Sequence, residues 1–135
     1  MIGYITIGTN DTEKSGKFYD AVLGAIGNER KFSDGDWIGY GPKGSDGHSI
    51  YVCPPFNRQP ATFGNGMMIA CKAPSRAEVR AAHKAGLENG GSDEGAPGYR
   101  PPEKEEWYGA YLRDPVATRS ACSSSARQTR GFRRQ

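Results

Sequence analysis

The chain has 135 residues, enough for one domain or for two small modules sharing a core. Apolar residues make up 36 % while glycine (19) and proline (9) are abundant, which predicts many turns and short strands; no apolar run reaches the ~18–20 residues that span a bilayer. The net charge of +3 is uneven, because five arginines and no acid lie from Arg119 onward, leaving residues 1–118 with 13 basic against 15 acidic groups and no basic surface for nucleic acid.

The opening residues alternate, with Ile5 and Ile7 on one face and Tyr4 and Thr6 on the other, which predicts a strand. A polar break at Thr9–Asp11 follows, then apolar residues four apart (Phe18, Val22, Ile26) that predict a helix. Asn10 is its expected N-cap, with Glu13 at the capping-box spacing. Short strands are expected over Glu29–Ser33 and Asp36–Tyr40 around the turn pair Asp34-Gly35, and another over His48–Cys53. Residues 54–65 carry three prolines and no periodicity, and read as a linker.

The pattern then restarts. Gly66–Lys72 reads as an apolar strand, and Ser75 with Glu78 caps a helix that runs to about Asn89. Gly90-Gly91 stops it. Gly95–Glu106 reads as a loop and Trp107–Arg113 as a strand. The three cysteines, Cys53, Cys71 and Cys122, form no C-x-x-C pair and are expected as buried, reduced thiols. No basic-then-apolar leader pattern occurs at the N-terminus, so the expected location is the cytoplasm.

The segments TIGTND (6–11), KFYDAVLGAIG (17–27), GNGMMIACKA (64–73), SRAEVRAAH (75–83), GGSDEGAPGYRP (90–101) and YGAYLRDP (108–115) together resemble the vicinal oxygen chelate superfamily. That superfamily contains glyoxalase I, bleomycin resistance proteins and extradiol dioxygenases. The resemblance implies an α+β fold in which two βαβββ modules, residues 1–53 and 66–115, curl their sheets around a cleft. It also implies a divalent metal held by side chains on four strands. Carried over to this sequence, those positions fall on Tyr4, Tyr51, Met68 and about Ala121. Neutral phenols, a thioether and a methyl group are poor partners for a hard cation, so no metal and no other cofactor is expected. His48 and His83 are expected to be solvated.

The cleft is expected to be lined by Tyr4, Thr6, Trp37, Tyr51, Cys53, Met68 and Arg100, a mainly aromatic and apolar surface suited to a small-molecule ligand. The reading is a metal-free protein that binds an aromatic or drug-like compound, as a homodimer, with neither nucleic acid nor membrane as partner. The alternatives are a glyoxalase-like lyase or isomerase with an unorthodox site, and a catalytically silent fold or a nucleic-acid binder acting through the basic tail.

After Asp114-Pro115 the strand alternation stops, four serines fall in the next ten residues, and an Arg-rich end follows. Restoring one base early in residues 116–123 converts them to Asp-Gly-Asn-Lys-Ile-Cys-Leu-Phe, a turn followed by an apolar strand. Residues 116–135 therefore read as an atypical basic tail produced by a shifted reading frame, with the last strand of the second module missing or deformed; either the tail supplies a poor substitute strand around Thr118–Ser123, or a partner subunit covers the open edge of Trp107–Arg113.

Overall fold

The structure is a computed structural model that describes residues 1–125; the Arg-rich end of the tail, 126–135, lies outside the described residues. Ile7 is buried while Thr6 is exposed, and this alternation makes Ile5–Gly8 the first strand, β1. The first helix, α1 (Thr12–Ala25), presses Phe18, Tyr19, Val22 and Leu23 into the interior. Its N-cap is Asp11, whose carboxylate accepts from the Lys14 amide at 3.0 Å. Asn10, the expected cap, instead holds the linker: it donates to the Ala61 carbonyl at 3.2 Å and accepts from the Ala61 amide at 2.6 Å.

Three strands complete the module: β2 (Asn28–Asp34), β3 (Trp37–Pro42) and β4 (Ile50–Cys53). They form a sheet in the order β1-β4-β3-β2, with β1 parallel to β4 and the other pairs antiparallel. The second module repeats this plan with β5 (Ile69–Lys72), α2 (Arg76–Glu88), β6 (Ser92–Tyr99), β7 (Trp107–Arg113) and β8 (Arg119–Ser125), in the order β5-β8-β7-β6. The cap of α2 is the one expected: Ser75 accepts from the Glu78 amide at 3.4 Å, and its hydroxyl bonds the Glu78 carboxylate in return. The architecture is thus the expected α+β fold of two βαβββ modules.

The modules meet through their helices. Phe18 and Val22 of α1, Val79 and Ala82 of α2, Ile38 and Val52 from the first sheet, and Leu112 and Cys122 from the second share one core. The two sheets remain separate, each showing its other face away from the helices.

Three expectations need correction. Gly95–Glu106 is not a plain loop, because Ser92–Tyr99 pairs antiparallel with β7 across two register shifts. These irregularities, with Pro97 inside the strand, hide it from a period-2 search. His83 is not solvated: it is 8 % exposed on α2 and its Nε2 lies 2.9 Å from Asp93 on β6.

The third concerns the closing strand, which is not missing: of the two ways to cover the open edge, the tail itself supplies the strand, close to the expected Thr118–Ser123. β8 lies between β5 and β7, parallel to one and antiparallel to the other, in continuous register, so the second sheet extends to Ser125. Backbone amides and carbonyls supply this pairing, and two open strand edges on either side reward any segment able to fill the gap. The side chains record a compromise. Ser120, Cys122 and Ser124 alternate toward the core side, opposite Leu112, Ala110 and Tyr108, where an apolar strand would bury larger groups.

The turn that delivers β8 is organised by Asp114, which is 4 % exposed. Its Oδ1 accepts from the amides of Val116 (2.8 Å) and Thr118 (2.9 Å), while Oδ2 accepts from the Tyr19 hydroxyl of α1 at 2.6 Å. Burial first, and the neighbouring Asp114 second, push the Tyr19 phenol well above its ordinary pKa. An unfolded tyrosine ionises near about 10, so this contribution is fully present below that pH and declines as pH rises beyond it. Replacing Tyr19 by Phe is expected to cost about 1–2 kcal/mol at pH 7 and to flatten the alkaline loss of stability; urea unfolding of both proteins at neutral and alkaline pH checks it.

Candidate functional site

On the first sheet the helix-facing positions are Ile7, Ile38, Tyr40 and Val52, which leaves Tyr4, Thr6, Phe32, Trp37 and Tyr51 on the opposite face. The Tyr51 ring stands at the centre of a cluster. Tyr4 lies edge-on at 5.4 Å between centroids, His48 at 5.4 Å, Phe32 at 5.8 Å and Trp37 at 6.0 Å. These separations fall in the range where aromatic pairs attract beyond simple burial. The cluster is nevertheless open to solvent, with Tyr4 64 % and Trp37 39 % exposed.

His48 is the residue that sequence reasoning missed. Its Nδ1 lies 2.5 Å from the Tyr51 hydroxyl, and its ring also packs edge-on against Phe32. The signal was a histidine three residues before Tyr51, which the Gly-rich turn and β4 bring back against the same ring. Thr6 is in register with Tyr51 on the neighbouring strand. Cys53 sits two residues further along β4 and is buried; loss of solvent, then the charge of Asp36, raise its thiol pKa.

The second sheet carries the other expected residues. Met68 lies just before β5 and is 40 % exposed, and Arg100 follows β6. The Arg100 guanidinium sits 5.7 Å from the centre of the Tyr111 ring and donates to the carbonyls of Ala96 and Tyr99. Arg119 stacks on the same ring at 5.0 Å. Arg113 lies 5.8 Å from the Phe63 ring and pairs with Glu94 at 2.6 Å. Beside Met68 a recess of about 240 Å³ opens between the linker end, Phe63–Met68, and Arg113 and Arg119. The Arg119 Nε is buried and has no hydrogen-bond partner among the described residues. An orphaned donor of this kind costs about 1–3 kcal/mol, more when charged.

The expected cleft residues therefore gather on two faces, one of rings and one of rings with guanidiniums. A larger recess of about 630 Å³ at Thr9, Asp36 and Arg58 is polar, and its Arg58–Asp36 pair, 3.0 Å apart, is already neutralised.

The metal positions can be tested on their donors. Tyr4 and Tyr51 offer phenols, Met68 a thioether from the other sheet, and Ala121, 2 % exposed on β8, offers nothing. Among the described residues no group of three or more His, Cys, Asp or Glu side chains comes together to hold an ion. This donor set does not fit a hard divalent cation. The thiols do not substitute as nucleophiles either. Burial raises the pKa of Cys71, and burial with the neighbouring Cys71 pushes Cys122 up to about 12, so both stay protonated at neutral pH.

Two βαβββ modules with open faces define the vicinal oxygen chelate class. No protein-family model and no curated protein matches the chain. Solved structures do match. A glyoxalase/bleomycin resistance protein from Albidiferax ferrireducens T118 is 36 % identical over 90 % of this chain and 96 % of its own, with a TM-score of 0.80. A glyoxalase/bleomycin resistance protein/dioxygenase family enzyme from Burkholderia phytofirmans PsJN (18 % identity, 90 % and 96 % covered, TM-score 0.66) shares the fold. So does TnmS3, an antibiotic binding protein from Streptomyces sp. CB03234 (18 %, 93 % and 96 %, TM-score 0.65). The chain belongs to the glyoxalase/bleomycin resistance protein family.

The ring cluster depends on Gly39, because a Cβ there would overlap the Phe32 ring. Gly39→Ala is expected to displace Phe32 from Tyr51 and cost about 1–3 kcal/mol through overpacking. A reduced near-ultraviolet circular dichroism signal with unchanged far-ultraviolet signal checks it.

Proposed function

We propose that this chain is a binding member of its family, taking an aromatic, drug-like small molecule without a metal, as a homodimer in the cytoplasm. The observation that carries this reading is the open ring cluster around Tyr51, which occupies the positions where the superfamily resemblance places metal ligands. Exposed rings on a rigid strand suit stacking of a flat ligand, with the His48–Tyr51 pair as a polar anchor. Met68 and Arg100 on the second face supply another wall. The likeness to TnmS3, an antibiotic binding protein, is consistent with a binding role on this fold. Exposed Tyr4, Trp37, Phe63 and Met68 favour a second copy that covers what one chain leaves open.

One observation favours the alternative, a glyoxalase-like lyase or isomerase with an unorthodox site. His48 and Tyr51 at 2.5 Å form a pair able to pass a proton. No second acid–base group joins them among the aromatic neighbours described above.

Metal analysis and a thermal-shift screen of flat aromatic compounds test the proposal together. Less than stoichiometric metal is expected, with no change on chelation, and ligands that raise Tm should lose about tenfold in affinity in Trp37→Ala. Stoichiometric zinc, nickel, manganese or iron, or a ligand indifferent to Trp37, overturns it. Light scattering reads the dimer on the same sample.

A further inference from the structure

We propose that the recess beside Met68 is a carboxylate subsite, which takes the anionic end of a small aromatic or apolar acid on the guanidinium of Arg119. Three observations converge on it. The Arg119 Nε is buried without an acceptor, although a guanidinium presents its donors in a planar fork matched to a carboxylate. The neighbouring cations do not compete for the same partner: Arg113 is held by Glu94 (2.6 Å) and by the Ala117 carbonyl (2.8 Å), and Arg100 is held by the Ala96 carbonyl (2.7 Å). Glu94 thus offsets Arg113, and among the described residues no carboxylate pairs with Arg100 or Arg119. Finally, the recess of about 240 Å³ is walled by Phe63, Met67 and Met68, which suits an apolar group of about the size of one ring.

This subsite rests on the reading of the second face as a wall of the ligand site, and its test separates the two. Benzoate and its neutral counterpart benzamide are titrated into the full chain by calorimetry. Benzoate is expected to bind about tenfold more tightly, with the preference shrinking as salt rises. Arg119→Gln removes the preference, whereas Trp37→Ala, on the other sheet, leaves it in place. Equal binding of the two probes, or a preference that survives Arg119→Gln, overturns the subsite while leaving the stacking reading intact. Because Arg119→Gln also removes the contact with the Tyr111 ring, the Arg119 Nε–H resonance of the unsubstituted protein is followed as well. A shift on adding benzoate but not benzamide is expected, and its absence overturns the proposal.

A different observation carries a second inference, that residues 116–125 are read out of the ancestral frame. Ala117 has φ 67°, a left-handed backbone that favours glycine. Ser120 and Cys122 alternate inward opposite Leu112 and Ala110. Restoring one base gives Ala117→Gly, Ser120→Ile and Cys122→Leu, which supplies glycine at the left-handed residue and branched apolar groups at two successive inward positions. Arg119→Lys in that frame keeps the cation. The coding DNA decides: one added base in codon 116 is expected to open the sequence Asp-Gly-Asn-Lys-Ile-Cys-Leu-Phe, and codons that cannot do so overturn the inference. The single substitution Ala117→Gly is expected to raise Tm by about 4 °C, and an unchanged or lower Tm counts against the glycine assignment.

Discussion

The buried carboxylate of Asp114 is the constraint on which the two modules depend. A carboxylate 4 % exposed is tolerable only when its oxygens are supplied with donors, and three converge on it from two parts of the chain. Two are amides of its own turn, and the third is the Tyr19 hydroxyl on the helix of the other module. One side chain therefore aims the chain back into the gap between β5 and β7 and ties that gap to α1. Tyr19 also belongs to the shared core of α1 and α2, so one residue serves both the turn before β8 and the contact between the modules.

From that arrangement the repeated plan acquires two different surfaces. Both middle strands carry Trp-x-Gly, as Trp37-Ile38-Gly39 on β3 and Trp107-Tyr108-Gly109 on β7. In the first sheet the bare glycine is covered by Phe32 from the adjacent strand, which draws the rings together around Tyr51. In the second, Trp107 folds over its own Gly109, and Tyr111 is left to the guanidiniums of Arg100 and Arg119. A stacking surface and a cationic one thus arise from the same backbone, and among the described residues neither gathers three or more His, Cys, Asp or Glu side chains around one point.

Much of the fold was legible because local signals agreed with it. Period-4 apolar residues marked the first helix, the Ser75–Glu78 cap marked the second, and Ile5 and Ile7 marked the first strand, whereas the cap of the first helix fell one residue later than expected, on Asp11. The irregular β6 was not legible, since its register shifts and Pro97 erase the alternation a strand search relies on. β8 was legible only as one of two ways to cover an open edge, because its serines predict a strand poorly and its pairing comes from backbone groups on both sides. The candidate site was half visible. Tyr4, Trp37 and Tyr51 come together as the alternation indicates, but His48 and Arg119 enter through contacts across turns and strands that carry no periodic trace. His83 was misread for the same reason, because its partner Asp93 lies on the strand that went unseen.

The sequence by itself determined the duplicated strand–helix order, the family resemblance and the absence of hard donors at Tyr4, Met68 and Ala121. These follow from residue type, spacing and side-chain chemistry, all of which are local. Only the tertiary structure decided that the last strand closes, that Tyr51 is ringed by aromatics and bonded to His48, and that the half-buried Arg119 keeps a shielded Nε with no partner among the described residues. Each of those is settled by what the rest of the fold leaves open or covers, and no single segment carries that information.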